Sequence, residues 1–264
     1  IFYLSKWDEV RDFAEINLEG TSGRQRVNKD CFSGLKLSLP PLAEQKAIAA
    51  VLSSLDDKID LLHRQNATLE RMAETLFRQW FIEEAEEGWE EVSLASLVSI
   101  VGGGTPKTDN SKFWSGDILW ISGSDITNSN KTFLFDTAKK ITESGLESSS
   151  AKILPQFSTV ITARGTVGNI CLLGKNAAFS QTNYGLLSKI ANTPFFVFLL
   201  TNHVINILKQ SAYGSVFDTI TRKNFEELTI PYPQTTYITN FEKTITPFFS
   251  KIFSNCEQIR TLEK

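Results

Sequence analysis

Behind Pro40 and Pro41 the apolar residues fall into alternating steps of four and three. Ile48, Leu52, Leu55, Ile59, Leu62, Asn66, Leu69, Ala73, Leu76 and Trp80 follow one another without a slip. This rhythm is a heptad seam rather than a broad globular face, and it predicts one long helix. The Pro pair suits its entry, because Pro fits the first turn of a helix. A helix over 42–86 at ~1.5 Å per residue would span roughly 65 Å, and so long an apolar seam needs a partner. With Leu52 at an a position, Asn66 is also at an a position. A lone polar residue there sets register at some cost in stability, or else tolerates a wet end of the interface.

A blurred copy of the passage returns near the C-terminus. Phe32, Leu35, Leu37 and Pro40 correspond at one fixed shift to Phe225, Leu228, Ile230 and Pro233. Further on, Ile48, Leu52, Leu55, Ile59 and Leu69 meet Phe241, Ile245, Phe248, Ile252 and Leu262. The period is far too long for a solenoid and indicates duplication of a domain-plus-helix module. The second seam, Phe241, Ile245, Phe248, Ile252, Ile259 and Leu262, supplies the partner for the first. Asn255 occupies one of its positions, and Pro247 is expected to kink the helix or delay its start.

Between the two seams the pattern shortens. "ILWIS", "STVITA" and "NICLL" are β-rich runs set among Gly, Ser, Asn and Thr, and a helix is expected over about 194–210. The fold class is therefore α+β: a mixed α/β domain attached to two long helices that pair along their seams. The organisation divides into 1–40, the tail of a preceding domain; 41–87, the long helix; 88–235, the globular domain; and 236–264, the C-terminal helix.

Charge changes the picture in one respect. The net charge of −3 is not spread evenly, because residues 42–87 hold five Lys/Arg against ten Asp/Glu while 88–235 hold twelve against eleven. The acidity belongs to the long helix, so a local basic face elsewhere is allowed. The three Cys are scattered and the two His lie far apart, which fits a reducing cytoplasm and offers no zinc spacing. No apolar run approaches a membrane span. The chain opens on Ile, so position 1 need not be a natural start.

Candidate chemistry is of the binding kind. "VGGGTPKT" (101–108) lacks the spacing of a phosphate loop; it is a tight turn or a place where the backbone, with Lys107 and Thr108, approaches a nucleic-acid phosphate. "GNICLLGKN" misses the P-loop spacing, no Ser/His/Asp set can be nominated, and His203 reads as a half-buried structural residue. "SLPPL" lacks the polar and aromatic flanks of an adenine-methyltransferase motif, and no S-adenosylmethionine loop precedes it. The remaining polar loop residues are Arg164, Thr166, Lys175, Gln181, Thr182, Asn183, Tyr213, Ser215 and Arg222. Arg, Gln and Asn can bond base edges bidentately, and hydroxyls can bind phosphate. Each is equally compatible with ordinary turn chemistry.

"FSGLKLSLPPLAEQKAIAAVLSSLDDKID", followed by "LERMAETLFRQWF", resembles the central conserved region of type I restriction–modification specificity subunits. "GGGTPKTDNSKFWSGDILWIS", "ITARGTVGNI", "FSQTNYGL" and "GSVFDTITRKNFEELTIPYP" are similar to one target recognition domain of that family. The resemblance covers nearly the whole chain. It implies a non-catalytic subunit that reads one half of a bipartite site on double-stranded DNA, with the two long helices packed as an antiparallel coiled coil that serves as a ruler. It also implies docking of methyltransferase and restriction/translocase subunits, which would carry S-adenosylmethionine, ATP and Mg; no cofactor is expected in this chain. Residues 1–39 match only the end of a first recognition domain, as a truncated or split subunit or a fragment would, and pairing of two copies would restore a bipartite site. The competing expectation is a coiled-coil adaptor whose globular head binds protein.

Overall fold

The computed structural model describes residues 2–21, 23–85, 88–129, 132–212 and 219–263. They fall into two compact units, one of residues 1–64 and 261–264, the other of residues 65–260.

In the first unit, helix α1 (Asp8–Ile16) leads into a short antiparallel hairpin, β1 (Leu18–Glu19) and β2 (Arg26–Val27). Helix α2 (Leu42–Arg78) begins directly after the Pro pair. Pro41 O accepts the N–H groups of Glu44 and Gln45 at 2.9 and 3.0 Å, and Gln45 Nε2 donates to Pro40 O at 2.9 Å. Tyr3 Oη donates to Asp56 Oδ2 at 2.9 Å, which pins the N-terminal segment to α2. Val10 and Leu62 are buried, whereas Phe2, Ile16, Leu42 and Val51 stay more than half exposed.

The second unit opens with the last turns of α2, which pass into a π-helical turn at Gln79–Glu83. There follow β3 (Glu90–Ser93), α3 (Leu94–Leu97), β4 (Val98–Gly102), β5 (Trp114–Ile121), α4 (Gly123–Ser129), β6 (Phe133–Leu134), β7 (Lys139–Ile141) and α5 (Glu143–Glu147). Then come β8 (Thr159–Thr162), β9 (Ile170–Leu173), β10 (Ala178–Phe179), β11 (Asn183–Ser188), α6 (Pro194–Ala212), α7 (Arg222–Glu227), β12 (Thr229–Tyr232) and α8 (Thr235–Leu262). A five-stranded sheet is ordered β4–β11–β8–β9–β6, and a three-stranded sheet β10–β5–β7.

The alternation of side chains along a strand divides the core. Ile161, Leu172 and Leu186 face α6 and α8, in one cluster with Phe195, Leu199 and Phe249. Val160, Cys171 and Leu173 point the other way, to Ile121, Leu154 and Phe179 of the second layer. The strands are buried on both faces, which is why "STVITA" and "NICLL" read as nearly unbroken apolar runs.

Within this unit the end of α2 packs antiparallel to α8. Asn66 meets Asn255, Phe77 meets Phe241 at 5.9 Å between ring centroids, and Trp80 meets Tyr237 at 5.1 Å. The seam changes character along the way. Ala73, Phe77 and Phe81 are buried while Leu76 and Trp80 are only half-buried. The widened turn, with Glu84 N donating to Gln79 O at 2.8 Å, accommodates steps of four, so Phe81 still stacks on Phe77 at 4.9 Å. Thr132 Oγ1 donates to Glu70 Oε1, and Asn202 Nδ2 to Glu74 Oε1 at 3.1 Å, so this stretch of α2 is bonded to the globular domain as well as packed on it.

The other expected seam residues are placed as follows. Leu62, Asn66, Phe241, Ile245, Ile252 and Ile259 are buried; Leu52, Ile59, Leu69, Phe248 and Leu262 are half-buried. Leu55 is 40% exposed, so its side chain lies in no closed interface here. The expectation of a delayed helix start at Pro247 is corrected: α8 begins at Thr235 and runs through it. Pro costs an interior helix about 3 kcal/mol; buried Ile245 and Phe249 on either side anchor the helix against that loss.

Asn255 Nδ2 donates to Asn66 Oδ1 at 2.8 Å, both residues being buried. Asn66→Leu is therefore expected to lower stability by about 1–3 kcal/mol, because it strands a buried amide. Asn66→Leu with Asn255→Leu should recover most of the loss. Urea midpoints and light-scattering mass measure both effects. A single variant with unchanged midpoint and mass removes the register role of Asn66.

Candidate nucleic-acid interface

One end of the five-stranded sheet gathers most of the expected contact residues. β8 and β11 are antiparallel with Asn183 opposite Thr162, so the loop after β8 and the turn before β11 emerge together. β11 pairs with β4 with Tyr184 opposite Gly102, which brings the segment after β4 to the same end. Ala163 N and Arg164 N donate to Thr182 O at 2.9 and 3.1 Å. Arg164 also bridges Thr219, and Ile220 N donates to Ala163 O at 3.0 Å, which places Arg222, at the start of α7, nearby. Arg164, Thr166, Gln181 and Arg222 are exposed, and Thr182 is half-buried.

The Gly-rich segment joins from the side. A Cβ on Gly103 would collide with the backbone oxygens of Phe179 and Ser180, so the close approach demanded there is to the chain itself. Gly104 N donates to Phe179 O at 2.9 Å, and Thr105 Oγ1 donates to Gln181 Oε1. That bond orients the Gln181 amide; among the described residues its nitrogen has no hydrogen-bond partner and one oxygen lone pair remains. Lys107 and Thr108 follow, both exposed. Thr105 was missed by sequence reading although it stands in the same motif. Lys209 was also missed: its aliphatic chain covers Gly168 in the turn after Arg164, and only the packing of α6 brings it there.

Two expectations are corrected. Asn183 is fully buried, with Nδ2 donating to Ser180 Oγ at 3.1 Å and Ile121 O at 3.3 Å; it supports the turn rather than contacting a ligand. Lys175 is exposed but follows β9, which runs opposite to β8, so it projects from the far end of the sheet. Neighbouring Asn176 spends its Oδ1 on Gln156 N at 2.9 Å. Tyr213 and Ser215 lie outside the described residues. His203 is exposed, with its ring 5.6 Å from Phe77, and burial of that face lowers its pKa.

Among the described residues no group of three His, Cys, Asp or Glu could hold a metal ion, and no helix is long and apolar enough to cross a membrane. What the gathered end offers is a guanidinium pair, an oriented amide, hydroxyls and a lysine on loops held by rigid strands. Such a set can bond base edges and phosphates.

Comparison with known proteins gives a consistent picture. A family model described as the type I restriction modification DNA specificity domain matches residues 4–71 and 86–264. The chain is 22% identical over 331 aligned positions to the HindI specificity subunit of Haemophilus influenzae, covering 97% of this chain and 72% of that protein. It is 24% identical over 193 positions to the MjaIX specificity subunit of Methanocaldococcus jannaschii, covering 72% and 45% respectively. It thus spans less than half of one curated relative and under three quarters of the other. The crystal structure of a type I restriction–modification S subunit from M. genitalium shares the fold, with a TM-score of 0.62 at 14% identity over 97% of this chain and 67% of that one.

Proposed function

The chain belongs to the type I restriction–modification DNA specificity family, and from that premise we propose that it reads one half of a bipartite site on double-stranded DNA. It has no catalytic centre of its own. It works in the cytoplasm, docked to methyltransferase subunits and through them to the restriction/translocase subunit. S-adenosylmethionine, ATP and Mg belong to those partners.

The observation that carries the reading is the convergence of Arg164, Arg222, the Thr105-oriented Gln181 and Lys107 at one end of the sheet. An Arg fork matches guanine O6 and N7, and an oriented Gln amide matches adenine N6 and N7. Holding the amide in advance reduces the ordering cost of binding. The apolar positions open along α2, Ile48 at 47% and Val51 at 62% exposure, support a role in docking.

Arg164→Ala is expected to weaken binding to the selected half-site by about 1–3 kcal/mol and to relax preference at one base pair. Assembly with the methyltransferase subunits should be unchanged. Anisotropy titrations of the reconstituted complex against selected and scrambled duplexes measure this. An adaptor with a protein-binding head would give no sequence preference to lose, and that result would replace the DNA-reading proposal.

A further inference from the structure

We infer that the cleft beneath Lys139 and Lys140 grips the sugar–phosphate backbone of duplex DNA beside the bases read by the Arg164 end; this rests on the DNA-reading proposal above. The cleft measures about 590 Å³ and is lined by Thr108, Trp114, Ser115, Thr137, Lys139 and Lys140 among others. None of these but Thr108 belongs to the contact set read from sequence.

A break in regular pairing makes the cleft. Trp114 and Ile118 both lie opposite Ile141, so residues 115–117 are extra in β5. Ser115 sits at φ 61°, an uncommon conformation for a residue with a side chain. A Cβ on Gly116 would lie 2.5 Å from Ile141 O, so only glycine fits against β7 there. Bulges of this kind re-aim side chains and are frequent beside functional sites.

The re-aimed Trp114 ties the cleft to the interface already described. Its indole N–H donates to Lys107 O at 3.1 Å, and the neighbouring Trp120 N–H donates to Gly104 O at 2.9 Å. The two rings meet edge-on at 5.1 Å. Both indoles thus clamp the segment that carries Thr105 and Lys107, and the cleft continues from it through Thr108. Thr137 Oγ1 donates to Lys139 O at 2.6 Å, and Asp125 Oδ1 accepts Ala138 N at 2.9 Å, which steadies the opposite wall.

The chemistry selects phosphate over base. Trp114 has spent its N–H on Lys107 O, and Lys139 Nζ stands 5.4 Å over its ring, so the indole is a wall rather than a stacking platform. Lysine ammoniums are point charges without the planar fork that reads base edges. Lys139 and Lys140 are exposed and, among the described residues, neither forms an ion pair. The segments that border the cleft hold Lys107, Lys112, Lys139 and Lys140 together with Asp109, Asp117, Asp125 and Asp136. In a chain of net charge −3 the attraction to DNA depends on where the charges stand, and the cleft lining itself holds two lysines and no carboxylate.

The test uses the full chain reconstituted with its methyltransferase subunits and the duplex recovered by random-oligonucleotide selection. Lys139→Gln with Lys140→Gln should weaken binding to selected and scrambled duplexes by the same factor. It should also make the log–log salt slope shallower by about 2, as loss of two phosphate contacts requires. Lys139→Arg with Lys140→Arg should keep the wild-type slope. An unchanged slope in the Gln variant, while the wild type binds its selected duplex, overturns the cleft and leaves the DNA-reading proposal standing. A changed preference between duplexes at constant slope also overturns it, in favour of base contact. A wild-type complex without sequence preference or salt dependence overturns both.

Discussion

Phe81→Ala is expected to lower the unfolding free energy by about 3–5 kcal/mol, the range for truncating a buried Phe. Phe81 lies in the π-helical turn after α2 and is 6% exposed. Its ring meets Phe77 and Phe241 at 4.9 Å, Phe196 at 5.1 Å, Tyr237 at 5.7 Å and Trp89 at 6.3 Å. Those neighbours come from α2, α6, α8 and the segment entering β3, so one ring fills the junction of four pieces of chain. Edge-to-face aromatic pairs add about 0.5–1.5 kcal/mol beyond their area. Neighbouring Ile82, 45% exposed, is the control, and Ile82→Ala should stay within about 0.5 kcal/mol. Urea midpoints of the two variants decide the matter; equal small losses would mean the junction is not cemented by this ring.

Glu242 gives the second large effect. This carboxylate, buried on α8, takes Phe195 N at 3.1 Å on one oxygen and Phe196 N at 2.7 Å on the other. It thereby caps the first turn of α6 from a distant helix, where free N–H groups otherwise lack partners. Glu242→Ala leaves two buried donors unsatisfied and should cost about 2–6 kcal/mol, from 1–3 for each. Burial pushes the Glu242 pKa up to about 7, against the two N–H bonds that pull it down. A carboxyl raised on folding holds its proton more tightly in the native state. Its contribution is full below the unfolded pKa near 4.5 and is lost as pH rises through about 7, a fall of roughly 3 kcal/mol. Urea unfolding from pH 4.5 to 8 should show that fall in the wild type and not in Glu242→Gln. Identical pH profiles for the two proteins would show that Glu242 does not titrate in this window.

Local patterns made much of the fold legible. The long helix behind Pro40 and Pro41, the strands at "ILWIS", "STVITA" and "NICLL", and the helix after Pro194 all have the apolar period of their element. The steps of four and three anticipated that the two long helices pair, and Asn66 and Asn255 meet between them; the antiparallel direction came from the family resemblance. The same period placed buried Ala73 correctly but beyond it chose Leu76 and Trp80 where Phe77 and Phe81 are buried. A two-helix seam accounts for one partner, whereas α2 there is covered by α6 and α8 together, and a broader face turns inward.

The candidate site divides in the same way. Residue chemistry put Arg164, Gln181, Lys107 and Arg222 in a longer set with Lys175 and Asn183, because forks, amides and ammoniums in polar loops suit base edges and phosphates, and the family resemblance gave that set its weight. Which of these loops meet is a matter of strand order and direction. Antiparallel β8 and β9 send Arg164 and Lys175 to opposite ends of one sheet. The register of β11 on β8 turns Asn183 inward, one residue after Thr182. The Lys139–Lys140 cleft depends on a pairing irregularity that no periodicity records. Periodicity and residue chemistry are local and survive in the linear chain; adjacency, burial and register arise only when distant segments pair, and those decided which polar side chains stand together facing outward.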